Sequence, residues 1–192
     1  MNYVLWYSER AGGKSPRIER GKFDGLTYRV SLDADGNPLM VDIMNNCGCY
    51  HLFVPDRDAI HQVRSGKCPL GPFVPQWLPP RSPTAVLGIR VNSGWHQVER
   101  VVAIEGVERA TPYQILPYGT LEALPADGGL PRSMFSGRGI LDESRRIEPY
   151  ILFSMGIPSI GSMRQRGHHA IDLTCRVHFD DPRLFEKSFL WK

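Results

Sequence analysis

The chain has 192 residues and a net charge of +3, from 23 basic and 20 acidic side chains. That length fits one domain with a sizeable core, and an apolar share of 42% with 22% charged residues excludes disorder across the chain as a whole. The charge excess is too small to argue for nucleic acid, and permits an anionic small molecule or a protein as partner.

No stretch approaches the roughly 18 consecutive apolar residues of a membrane span. The start, Met1 to Arg10, has no basic leader and does not read as a signal peptide. The expectation is a cytoplasmic chain, or one whose leader or longer N-terminal region has been removed. Nineteen glycines and sixteen prolines exceed average usage and favour many turns over long helices. Four Trp, seven Tyr and eight Phe add to a β-rich reading.

In chain order, residues 3–7 read as a short buried strand and 10–22 as a basic loop. Leu26 to Leu32 alternates apolar and polar, Asp33 to Asn37 is turn chemistry, and Pro38 to Met44 is strand-like, so a β-hairpin is predicted. The segment 46–51 is expected to continue its second strand. Residues 64–83 carry eight glycines and prolines and predict a long loop, laid on the core through Phe73, Val74, Trp77 and Leu78. A second hairpin is predicted from 84–91 and 96–105 around Asn92-Ser93-Gly94. Short strands are expected at 113–116 and 121–124, and residues 126–139 read as a Gly-rich exposed stretch around Phe135. Residues 147–155 read as a strand interrupted by Pro149, and 156–167 as a loop or single helical turn. A last strand is predicted at 169–178, then a short helix at 182–190 with Pro182 in its first turn. The whole reads as one mainly β domain over 1–192, an antiparallel sandwich or partly closed barrel with long Pro/Gly-rich loops and little helix.

Chemistry concentrates in Asn46-Cys47-Gly48-Cys49-Tyr50-His51. On an extended backbone Cys47, Cys49 and His51 share one face. A second cluster runs from Gly167 to His178. There His169 and Cys175 fall on one face, and His168, Asp172, Arg176 and His178 on the other. Two thiolates and two imidazoles suit a transition metal, zinc ahead of copper or iron. The candidate ligands are Cys47, Cys49 and His51, completed by His168, His169 or His178. The spacing departs from the usual Cys-x₂₋₄-Cys knuckle, so such a chelate needs Gly48 to bend the backbone. With four protein ligands the metal is structural; with an open position it activates water or serves redox chemistry.

The alternative is a metal-free binding or interaction module held by bridges among Cys47, Cys49, Cys68 and Cys175. A Cys47–Cys49 bridge closes a one-residue loop and is readily reduced. A third reading is a thiol-dependent enzyme. Cys47-Gly48-Cys49-Tyr50 resembles the papain-like run one residue short, but the preceding strand supplies no helix N-terminus to activate the thiol. Buried free cysteines without chemistry are the plain alternative. Arg164-Gln165-Arg166 with Arg145-Arg146 are expected on a solvated face, with grip on an anion as the other use. Asp142, Glu143 and Glu148 are candidate acid–base groups that their spacing does not separate.

The hairpin Phe23 to Asp33, the Cys-Gly-Cys-Tyr-His segment 47–51 and the stretch from Gly167 to Asp181 resemble the C-terminal part of a group of larger uncharacterised bacterial proteins. That resemblance covers most of this chain. It implies that the two clusters belong to one fold, and it brings no catalytic residues.

Overall fold

A computed structural model describes residues 1–10, 15–64, 71–106, 110–169, 179 and 181–192. The fold is mainly β, and its sheets are antiparallel. Strands β1 (Asn2–Arg10), β2 (Gly21–Leu32), β3 (Pro38–Asn45) and β4 (Leu52–Pro55) form a four-stranded sheet in sequence order. The predicted β2–β3 hairpin forms, with Arg29 opposite Asp42 and Val30 opposite Val41. Its turn is held by Asp33, whose carboxylate accepts from the backbone of Asp35 and Asn37.

Both faces of this sheet are covered. On one, Leu26, Val41, Ile43 and Val54 meet Val101 and the half-buried Leu87, Ile89, Val91 and Val98. These come from the second predicted hairpin, β6 (Val86–Val91) and β7 (Val98–Ile104). On the other face, Met40 and Phe53 meet Ile60, Leu184 and Phe189. Those belong to strand β5 (Ile60–Val63), helix α2 (Leu184–Ser188) and strand β8 (Phe189–Trp191), where β5 pairs with β8. The period-2 alternation along β2 and β3 puts apolar side chains on both sides, as a sheet between two layers requires.

The Pro-rich stretch lies along this core as a strap. Leu78 donates to Pro55, and the Gln76 amide both donates to and accepts from the Val101 backbone. Val74, Trp77 and Leu78 pack inward, but Phe73 stays exposed.

The sequence misread three other segments. Residues 147–155 are helical, not extended: α1 (Glu148–Ile151) is followed by a 3₁₀ turn, because Pro149 sits in the first helical turn where its missing N–H costs nothing. The same stretch exposes Ile147, Tyr150, Ile151, Phe153 and Met155. Residues 118–122 form a 3₁₀ turn, with no strand at 113–116 or 121–124 beyond a single bridge from Leu124 to Arg132. Phe135 is buried, since Leu141, Met163 and Cys47 close over it. The strand predicted at 169–178 falls almost entirely outside the described residues. No helix of the described residues is long and apolar enough to cross a membrane.

Candidate functional site

Strand β3 stops at Asn45, and the expected extension through 46–51 gives way to a turn. Gly48 N donates to Asn45 O at 2.7 Å and Asn45 N to Cys49 O at 3.0 Å. Gly48 has φ +96°, open to glycine without steric cost. The loop is pinned by the fully buried Asn46, whose side chain accepts from Thr27 and donates to Leu5 O. Arg164 N in turn donates to Asn46 O.

The turn keeps the two cysteines together and parts them from His51. Cys47 and Cys49 are free of any disulfide, and each thiol feels the other. Cys47 is buried and Cys49 half-buried, against Phe135, Leu141, Met163 and Trp6.

Next to this pair lies a buried charged cluster. Arg10, the last residue of β1, forks onto Asp24 of β2 with bonds of 2.8 and 2.9 Å, and its third nitrogen reaches Glu19. Asp24 has no exposed surface. It also takes His96 Nδ1 at 2.8 Å, from the β6–β7 turn, and that imidazole stacks on Tyr7 at 3.8 Å. Glu19 accepts from the Tyr50 hydroxyl and from Trp95 Nε1, each at 2.9 Å. The buried Arg146 donates to three carbonyls, those of Glu19, Phe23 and Gly161. Arg164, also buried, donates to the carbonyls of Pro158, Ser159 and His168.

Backbone strain marks the same place. Among the described residues, the non-glycine positions with positive φ are Phe23, Tyr50, His96 and Ser159. Each supplies a group to this cluster: Phe23 O to Arg146, Tyr50 to Glu19, His96 to Asp24 and Ser159 O to Arg164. Such conformations cost about 1–3 kcal/mol each and gather where a fold serves a site.

The electrostatics single out the thiols. The Cys49 thiol lowers the Cys47 pKa; burial opposes it, and the Glu148 charge opposes it more than Arg10 supports it. Cys49 is pushed up, first by the Cys47 thiol beside it, then by the Cys47 charge and by burial. Of the two thiols, Cys47 is the one on which negative charge is favoured. Burial, and after it the Glu19 charge, raises the Glu148 carboxyl. Glu148 Oε2 is buried with no hydrogen-bond partner among the described residues, as are Trp6 Nε1, Asn45 Nδ2, Ser162 Oγ and Arg164 Nε.

Of the residues singled out from sequence, the structure brings Cys47 and Cys49 together. His51 lies elsewhere: its Nε2 sits 2.9 Å from Asp42, and its ring packs on Phe53 and Phe179. His169 meets Phe179 edge-on, and His168 lies over Gly139. Cys68, Asp172, Cys175, Arg176 and His178 are outside the described residues. Among the described residues no three His, Cys, Asp or Glu side chains are grouped to hold a metal ion. Arg145 and Arg166 are exposed as expected, but Arg146 and Arg164 are buried and spend their donors on backbone carbonyls, which corrects the reading of one solvated face. Sequence reasoning missed Arg10, Glu19, Asp24 and His96. One signal was present: Asp24 shares the parity of Leu26, Tyr28 and Val30, so a carboxylate stood on a core-facing row.

Compared with protein-family models, with curated proteins and with solved structures, the chain matches none.

Proposed function

We propose that the chain acts through Cys47 and Cys49 as a redox-active dithiol that exchanges electrons with a disulfide-bearing partner. The observation that supports this most is the Gly48 turn, which packs the two free thiols against the same apolar side chains. The Cys49 thiol favours ionisation of Cys47, and the thiolate is the attacking species. Cys49 is the sulfur nearer solvent, so it gives its proton to the Cys47 thiolate as it attacks. A bond forms between Cys49 and one sulfur of the partner disulfide, and the other sulfur leaves as thiolate. Cys47 then gives up its proton and attacks Cys49. The intramolecular bridge closes, the second partner thiol is released, and two electrons have passed to the partner. The one-residue loop disfavours the bridge, which makes the oxidised pair a ready oxidant.

Trapping tests this order. With oxidised glutathione, Cys47→Ser should accumulate a mixed disulfide at Cys49, while Cys49→Ser should react far more slowly at the buried Cys47. Equal labelling of the two variants would contradict the assignment of roles. The adjacency of the two sulfurs also supports a second reading, a transition metal held by Cys47 and Cys49, zinc ahead of copper or iron. That reading expects about one metal per purified chain, and thiols that react only after chelation.

A further inference from the structure

We propose that the open edge of β1 is a self-association surface. On it, β1 of a second copy pairs antiparallel about a two-fold axis through Leu5 and joins the two β1–β4 sheets into one.

The two edges of the sheet are treated differently. At β4, Phe53 N donates to Phe73 O at 2.8 Å, and Pro55 O accepts from Leu78 N at 2.9 Å. The Pro-rich strap thus closes that edge, and Pro55 has no N–H to offer a further strand. At β1 the direction of the backbone groups follows from the pairing with β2. Met1 N donates to Val30 O and Val30 N to Met1 O, each at 2.8 Å. Such doubly bonded pairs alternate with unbonded ones along an antiparallel ladder. Tyr3, Leu5 and Tyr7 therefore bond to β2, opposite Tyr28, Leu26 and Asp24. The N–H and C=O groups of Asn2, Val4, Trp6 and Ser8 point away from the sheet. Among the described residues no hydrogen bond from another segment reaches them, and β1 ends the strand order.

An open row of donors and acceptors is a template for another strand, and edges are commonly guarded by lysine, proline or a bulge. The nine residues of β1 contain neither lysine nor proline, and their register with β2 holds without a shift from Asn2 to Arg10.

The strand itself specifies which strand fits. With the axis at Leu5, Asn2 pairs with Ser8 of the second copy and Val4 with its Trp6, each pair exchanging both its bonds. Between them Tyr3 meets Tyr7, and Leu5 meets its own counterpart. Polar thus faces polar, aromatic faces aromatic, and β-branched faces aromatic, which are favourable cross-strand pairs. Charge agrees with a second copy as occupant. Residues 2–8 carry no charged side chain, so no like charges meet when the strand pairs with itself, and Glu9 and Arg10 fall beyond the paired span. An axis at Trp6 instead sets Glu9 against Tyr3 and Arg10 against Asn2. Leu5 is 36% exposed, so it is open to its counterpart. The contact uses the same surface on both chains and closes at two copies.

Sedimentation over a dilution series tests this. Wild type should have twice the chain mass of 21.7 kDa when concentrated and fall to the single mass on dilution. Leu5→Lys and Leu5→Glu each set like charges opposite one another at the axis. Each should stay a monomer where wild type is paired, and an equimolar mixture of the two should recover the dimer. Hydrogen exchange gives a readout that needs no variant. The amides of Val4 and Trp6 should be protected in concentrated protein and exchange freely on dilution, while those of Tyr3 and Tyr7, bonded within the chain, stay protected in both. A wild type of single mass throughout the series would overturn the proposal. So would a dimer that both Leu5 variants leave intact, or one in which the Val4 and Trp6 amides exchange freely.

Discussion

At the residue scale, two buried aspartates are treated alike and used differently. Asp24 and Asp42 each lie inside the central sheet with no exposed surface, each is gripped by two nitrogens of an arginine on a neighbouring strand, and each takes a histidine. His51 turns Nε2 inward to Asp42 and sits between phenylalanines, which ties the C-terminal segment to the sheet. His96 turns Nδ1 inward to Asp24 and stacks on Tyr7, which ties the β6–β7 turn to the sheet. Removing Asp24 takes two bonds from the buried Arg10, whereas the Arg29 that pairs with Asp42 is only half-buried. Asp24→Ala should therefore cost about 3–5 kcal/mol, read as a lowered urea midpoint. Asp142→Ala, which breaks an exposed pair with Arg145, should cost no more than about 1 kcal/mol. Equal losses would refute the distinction. Glu148 makes a pH-dependent prediction. Its pKa is raised in the folded state, mainly by burial, so the folded chain binds that proton more tightly than the unfolded chain. Its contribution is full below the ordinary carboxylate range and is lost as pH rises through the folded-state value. Glu148→Gln, permanently neutral, should be the more stable protein at neutral pH and equal to wild type in acid. Melting curves at the two pH values check the sign.

At the element scale, the legible parts were those where local pattern and tertiary demand agree. Both hairpins were readable because alternation flanks a turn of Asp, Asn and Gly. Residues 147–155 misled because an apolar run of strand length does not distinguish strand from helix, and the proline that seemed to interrupt it begins the helix. The Cys-Gly-Cys segment misled through its neighbour. A well-formed strand leads into it, and nothing in the spacing announces that Gly48 turns the chain back on Asn45. That turn also undoes the shared face of 47, 49 and 51, since the alternation argument holds only while the backbone stays extended. Gly48→Ala forces a Cβ into φ +96° and should cost about 1–3 kcal/mol. It should also loosen the thiol pair, so iodoacetamide would modify the variant more slowly than wild type below the ordinary thiol range. Unchanged alkylation in a fully folded variant would show that the turn does not set the pair.

At the scale of the whole molecule, the β1–β4 sheet lies between the β6–β7 hairpin and the layer of β5, β8 and α2. The dithiol and the charged cluster gather beyond the Cys47 end of β3, where residues from β1, β2, the β6–β7 turn and the irregular stretch 118–164 meet. The cysteines of this site were visible in the sequence as an unusual spacing. Its charged partners were not, because Arg10, Glu19, Asp24, His96 and Arg146 are far apart along the chain and converge only through strand pairing. The most direct test of the account is the mass of the peptide carrying Cys47 and Cys49 after equilibration in glutathione buffers of graded redox potential, with the metal content of the same sample measured alongside. The account predicts a reversible two-hydrogen loss on that peptide, with one midpoint and no stoichiometric metal. Two thiols that never bridge in any buffer, or that are protected by one metal ion per chain, would contradict it.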